Sequence, residues 1–534
     1  MPEYLTPGVY IEEFEIGAKP IEGVSTSTAG FLGLTERGPT NAPKLVTSLI
    51  QFIRIYGGYI PDSFLTYAVD GFFRNGGKRC FIGRVVRTGS DEASLVVGTV
   101  TFTTVGEGGW GNRAAVRIEN ASNDPTDANP AGTKLFKLTV AYWSRELPDF
   151  TIPATNPDKA FRELIDRASA VEVFDNLSED PNSMDHYLKK LGDPLNNLSN
   201  LVVLSGTGRP ANTGGTFFQP LTGGLDAAGS PPAIPPAPTR DDFLGDPAAL
   251  PGNKRGLTAF TDIDEISILY VPDLHVVAAA GLETLIDDIL SHCETLKDRF
   301  AVLDVPNDTP DISTLTITSV ARPSKYGAIY YPWIKVFDPL TQQQKEIPPG
   351  GHVAGIYARS DVERGVHKAP ANEVVRGATD LEFQITKEEQ GILNPRGINV
   401  IRSFPGRGIL VWGARTIILD TLWKYINVRR LFLYIEESIE EGTQWVVFEP
   451  NNEQLWGRVR ATITQFLTRV WRDGALMGTK AEEAFFVKCD RTTMTQDDID
   501  NGRLICIIGI APVKPAEFVI FRIAQFPGGS AVTE

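Results

Sequence analysis

A multidomain chain of mixed α/β and α+β class is what three patterns in the sequence predict. Around residues 266–304 the strings "EISILYVPD", "GLETLIDDILSHCETL" and "RFAVLDVP" read as strand, helix and strand, the order of a βαβ unit with a parallel sheet. Residues 91–205 instead alternate under turn signals, the mark of an inserted β-rich module. Near the C-terminus "NNEQLWGRVRATITQFLTRVWRDG" sets Leu455, Val459, Ile463, Phe466, Val470 and Trp471 on one face at spacings of three and four, an amphipathic helix. With 534 residues the chain exceeds one ordinary core, and 42% hydrophobic with 22% charged residues is the balance of a folded protein.

Taken in order, "EYLTPGVYIEEFEIG" opens on a Pro-Gly turn and runs into a β-prone string from Val9 to Phe14, an arm over residues 1–25 with no core beside it. Residues 26–90 hold a buried apolar run, Phe31 to Leu34, then helical spacing from Ser48 to Phe73, then the Gly turn and strand of "NGGKRCFIGRVV". The β-rich module contributes "SLVVGTVTFTTV", "NRAAVRIEN" and "KLFKLTVAYWS", and closes with "LSNLVVLSG". Residues 206–253 are dense in Gly and Pro and read as a linker or surface loop. An α/β region over 254–395 precedes a C-terminal domain over 396–514, whose long helix has Asn451 or Asn452 as N-cap and Gly474 as its stop. The last segment, 515–534, contains "KPAEFVIFRIAQF", a strand pattern flanked by Pro515 and Pro527.

Charge and cysteine use narrow the function classes. The formal charge of -15 disfavours contact with phosphate backbones and anionic lipid. No stretch of about 18 apolar residues spans a bilayer, and Met1 to Tyr10 lacks the build of a secretory leader, so the reading is a chain folded in the cytoplasm of its producer. Cys80, Cys293, Cys489 and Cys506 are scattered, with no metal-ligand spacing, and read as buried thiols in a reducing compartment; no cofactor or metal is expected. From Arg396 onward there are 17 basic and 16 acidic residues, leaving 34 against 50 in the rest, so the acid excess lies before that point.

Two β-prone termini outside the compact regions admit two readings. Each pairs within its own chain, or each is donated to the sheet of a neighbouring copy, with Val9, Tyr10, Ile11 and Phe14 at one end and Phe518, Val519, Ile520, Phe521 and Ile523 at the other. A series of strings decides between them: "YLTPGVYIEE", "GGWGN", "LTGGLD", "GLTAFTDIDEISILYVPD", "YYPWIKVFDP", "PPGGHVAGIYARSD", "NPRGINVIRSFPGRGILVWGART", "YINVRRLFLYIEESI" and "PAEFVIFRIAQ". In this order, and across nearly the whole chain, the sequence resembles the contractile tail sheath family of phage tails and extracellular injection systems.

The resemblance implies a structural subunit that stacks as helical rings around an inner tube and contracts. It implies exchange of terminal strands between subunits, a sheath core built from N- and C-terminal pieces, an outward middle module, and a domain that is subtilisin-like but non-catalytic. The implied partners are other copies of the chain, the inner tube protein, and baseplate and tail-terminator proteins; another structural part of the same machine is the alternative. Arg458, Arg469 and Arg472, with Thr462 and Gln465, line the polar face of the long helix, which reads either as a plain solvated face or as a tube-facing one, with Arg429 and Arg430 a second candidate pair.

Catalysis finds no support in the residues. "GGHVAG" around His352 echoes a subtilase histidine motif and Asp304 would be its carboxylate, but Ser360, Ser403, Ser438 and Ser530 all lack a nucleophile turn. His352 is therefore read as a structural residue on a turn after Pro348, Pro349, Gly350 and Gly351. No G-x-x-x-x-G-K-[ST], H-E-x-x-H or G-x-S-x-G occurs, and "GTGRPANTGG" opens no evident helix.

Overall fold

Small and apolar residues in "AGFLGL" form β1 (Ala29–Leu34), buried along its whole length, and a short β2 (Lys44–Val46) follows. The helically spaced stretch is two helices, α1 (Leu49–Tyr56), capped by the Ser48 side chain on the Gln51 N–H, and α2 (Leu65–Arg74); "CFIGRV" is β3 (Cys80–Val85). Beyond the β-rich insertion come β4 (Ile268–Tyr270), α3 (Ala279–Leu296), β5 (Phe300–Asp304), β6 (Gly327–Tyr331), α4 (Gly350–Arg364), β7 (Glu373–Val374), β8 (Ile398–Phe404), β9 (Gly408–Val411) and α5 (Ile426–Gly442). This is a computed structural model, and it describes residues 20–522 apart from 42, 124–133, 194–195, 228–235, 251, 278 and 308.

These strands make one nine-stranded sheet in the order β7-β9-β8-β6-β5-β4-β1-β3-β2. Its centre, β8-β6-β5-β4-β1-β3, is parallel throughout, with β4, α3 and β5 as the βαβ unit. A parallel sheet covered on both faces needs strands apolar on both sides, which is why β1, β4, β5 and β6 are buried at every position. Helices α2 and α4 approach through glycine: a Cβ on Gly351 would lie 2.4 Å from Ala68 Cα, and one on Gly355 would lie 2.5 Å from the Phe72 carbonyl oxygen. The "GGHVAG" string is thus a helix-packing surface.

The insertion folds on itself. Ser94–Val97, Val100–Thr104 and Val202–Gly206 form one antiparallel sheet, and Ala114–Asn120, Leu135–Tyr142 and Ala170–Ser178 form the body of another, over a core that includes Phe102, Trp110, Leu138 and Tyr142. The expected linker at 206–253 is not wholly one. Gln219–Pro220 pairs with Val116 and Ala115, Leu225–Asp226 pairs with Ser90–Asp91, and Arg240–Leu244 is a helix with a Thr239 capping box. The module therefore closes near residue 226, where entry and exit strands lie side by side.

The chain divides into two units, and the expected boundary at 396 moves. Gly23–Val366 with Pro370–Ser438 form one, and Met1–Glu22, His367–Ala369 and Ile439–Glu534 the other. Residues 26–90, expected to join the C-terminal domain in a core, instead share the large sheet with 254–411. In the smaller unit α6 (Glu453–Arg472) packs on a two-stranded sheet of β10 (Phe485–Lys488) and β11 (Ile507–Ile510). The Asn452 side chain accepts the Leu455 N–H at 3.0 Å, and Gly474 takes φ +81° just beyond the helix, as the sequence predicts.

Candidate assembly surfaces

On α6, Leu455, Val459, Ile463, Phe466 and Val470 are buried with Trp456 and Leu467, while Trp471 is half-buried and donates its indole N–H to the Gly478 carbonyl at 3.0 Å. Thr462, expected on the polar face, is buried, because Leu455, Thr462, Phe466 and Leu467 fall within one arc of the helix. Arg458, Gln465, Arg469 and Arg472 are exposed. Arg458 lies over the Trp445 ring at 4.6 Å, and Arg469 Nη2 donates to the Ile21 carbonyl at 2.6 Å, so it anchors the segment at Ile21 in its own unit.

Arg429 and Arg430 are interior, which corrects their place among the surface cations: they are 2% and 3% exposed. Arg430 holds Asp361 through two bonds of 2.9 and 2.7 Å, donates to the Thr26 carbonyl at 2.7 Å and lies over the Tyr357 ring at 4.9 Å. Arg429 donates to Tyr326 Oη at 2.9 Å and to Glu436 at 3.0 Å, and sits over Tyr326 and Trp423. Periodicity shows that a residue faces inward; it does not show that a charged one has found its counter-ion there.

Up to Arg522 the C-terminal string forms no strand among the described residues. Phe518, Val519, Ile520 and Phe521 are 71, 68, 77 and 83% exposed, four successive large apolar side chains with water on both faces. In the same unit β10 and β11 pair only with each other among the described residues, and Phe486 and Ile507 on them are exposed. Val9, Tyr10, Ile11, Phe14 and Ile523 lie outside the described residues.

The buried acids and histidine of the large sheet form no catalytic triad. Asp304, at the end of β5, accepts the Tyr270 hydroxyl at 2.7 Å, and burial raises its pKa to about 7 against the pull of that hydroxyl and the Gly350 amide. His352 is in the first turn of α4 and not on a loop; its Nδ1, the nitrogen that an orienting carboxylate would hold, has no hydrogen-bond partner. Burial, helped by Arg74, lowers its pKa to about 3, and a Cβ on Gly71 would lie 2.2 Å from its Nδ1. It is a neutral packing residue. Among the described residues, no group of three or more His, Cys, Asp or Glu is arranged to hold a metal, and no helix is long and apolar enough to cross a membrane.

Two features escaped the sequence reading. Asp273, just after β4, accepts the Leu34 N–H at 2.7 Å, the Phe64 N–H at 2.6 Å and the Ser63 hydroxyl at 2.7 Å, joining three segments with one buried carboxylate. Its signal was an Asp directly after a buried strand, which a turn also explains. The second is charge: the smaller unit as drawn by the fold holds 12 basic and 18 acidic residues, so the near-neutral block from Arg396 belongs to no single unit.

Residues 255–417 match the family described as the phage tail sheath protein central domain, and residues 419–526 match the phage tail sheath C-terminal domain. The chain is 24% identical over 261 residues to the tail sheath protein of Salmonella phage ViI, covering 44% of this chain and 40% of that protein. Against the tail sheath protein of Burkholderia phage BcepMu it is 30% identical over 160 residues, 28% of this chain and 34% of that one. The chain thus spans well under half the length of these curated relatives. In structure it resembles the helical sheath of the anti-feeding prophage in the contracted state, with a TM-score of 0.54, 25% identity, and coverage of 97% of this chain and 99% of that one.

Proposed function

Because the chain belongs to the phage tail sheath family, we propose that it is the sheath subunit of a contractile injection machine, polymerising as stacked helical rings around an inner tube and shortening to drive that tube forward. The observation that carries the reading is the run Phe518–Phe521, exposed and in no strand among the described residues, while no described strand pairs with the outer edges of β10 and β11. A strand passed from one copy to the next makes a head-to-tail contact, which does not close on itself and builds a filament. Its strength follows from its length: about four ladder hydrogen bonds at roughly 0.5 to 1.5 kcal/mol each, plus about 1.5 to 3 kcal/mol for each large apolar side chain buried. That is enough to hold neighbours and small enough to permit rearrangement between two packings. The terminal arms, the inner tube and the baseplate and terminator contacts are parts of this proposal.

Electron microscopy of the purified chain tests it. The full chain is expected to form wide hollow tubes, and the chain ending at Lys514 is expected to stay folded and small. Ordered tubes from the truncated chain would refute strand donation; closed rings alone from the full chain would make it a static part of the machine.

A further inference from the structure

Cys489 and Cys506 stand 17 positions apart in sequence, but the fold brings them face to face. Cys489 directly follows β10 and Cys506 directly precedes β11, and the register Lys488 to Ile507 continues to place one opposite the other. The kind of position follows from the ladder. The Ala511 N–H donates to the Ala484 carbonyl at 2.8 Å, which makes 484 and 511 a hydrogen-bonded pair. Alternation along the register then makes 485/510, 487/508 and 489/506 the non-hydrogen-bonded pairs, where Cα atoms come to about 4.5 Å and side chains are nearest. That separation falls within the span that a disulfide requires. Each thiol also perturbs the titration of the other.

Access and electrostatics are also in place. Cys489 is buried and Cys506 half-buried, so Cys506 is the more accessible of the two. Burial raises both thiol pKa values, Cys506 to about 12, while the Arg460 guanidinium on α6 favours the thiolate of each. Oxidation at neutral pH is accordingly slow.

We propose that Cys489 and Cys506 are a latent dithiol that closes into an internal disulfide in an oxidising medium, clipping the base of the loop that joins β10 to β11. With a small disulfide such as oxidised glutathione, the Cys506 thiolate attacks one sulfur and releases one glutathione thiolate. Cys489 then loses its proton, attacks the mixed disulfide at Cys506 and expels the second glutathione. Two protons and two electrons leave the protein, and the oxidant becomes two thiols.

The test uses the full chain, incubated with oxidised glutathione in mildly alkaline buffer, then denatured and alkylated. The expected result is a mass about 2 Da lower before alkylation, loss of two of the four alkylatable thiols, and one cross-linked peptide joining 489 to 506, with Cys80 and Cys293 still free. Thermal unfolding of that product should shift upward and return on reduction, and Cys506→Ala should abolish the shift. Four free thiols after prolonged oxidation, a stable glutathione adduct on Cys506 with Cys489 free, or dimers linked through Cys506 would each overturn the proposal.

Discussion

Removing the carboxylate of Asp361 isolates a guanidinium in the interior, and the size of the effect can be worked out from the contacts. Arg430 and Asp361 each have a side chain 3% exposed, joined by two bonds, so the pair is desolvated on both sides. In Asp361→Ala, Arg430 keeps the Thr26 carbonyl and the face of Tyr357, which satisfy its donors in part and its charge not at all. A buried pair broken at one partner costs about 3 to 5 kcal/mol, against about 0 to 1 kcal/mol for an exposed pair. The double variant Asp361→Leu/Arg430→Met removes both charges and is expected to recover most of the loss. Guanidinium unfolding followed by tryptophan fluorescence measures both. The reasoning also predicts that the folded double variant assembles like the original chain, since neither residue reaches the surface. A loss below about 1 kcal/mol in the single variant, or a double variant as weak as the single, would refute the buried-pair account.

Three further expectations follow from particular groups. Asp304, with a pKa of about 7 in the fold against 3.8 ordinarily, contributes stability that is present below about pH 4 and lost as pH rises through 7, at about 1.4 kcal/mol per unit; the gap between Asp304→Asn and the original chain should change by that slope across pH 4 to 7 in denaturant titrations. Arg458→Glu with Arg472→Glu should alter stability by less than about 1 kcal/mol and weaken co-assembly with the cognate tube protein at low salt, whereas adding Arg469→Glu should also loosen the segment at Ile21; unchanged co-assembly assigns the first two to a solvated face. Replacing residues 91–225 by a short Gly/Ser bridge should leave a folded protein by circular dichroism. It should be less stable by about 1 to 3 kcal/mol, because buried Arg84 loses the Glu107 carbonyl; adding Arg84→Met should restore that loss.

Much of this architecture is legible in the sequence because it is local. The all-apolar "AGFLGL" has to be a strand buried on both faces, the spacing from Leu455 to Val470 has to be a helix with one buried side, and Asn452 and Gly474 mark its ends by backbone chemistry alone. The family resemblance draws on the same information, spread over many short strings. What tertiary structure alone decided are matters of partnership. Strand β1 lies between β3, about 50 residues on, and β4, with Ala29 opposite both Cys80 and Ile268, and no period in either segment records that choice. Arg429 and Arg430 look like surface cations until Asp361 and Glu436 are placed beside them, and Cys489 and Cys506 look scattered until a hairpin register sets them opposite. Period and composition report which face of an element avoids water. Which other element covers that face is settled by burial and pairing summed over the whole fold, and that sum is not written in any one stretch of the chain.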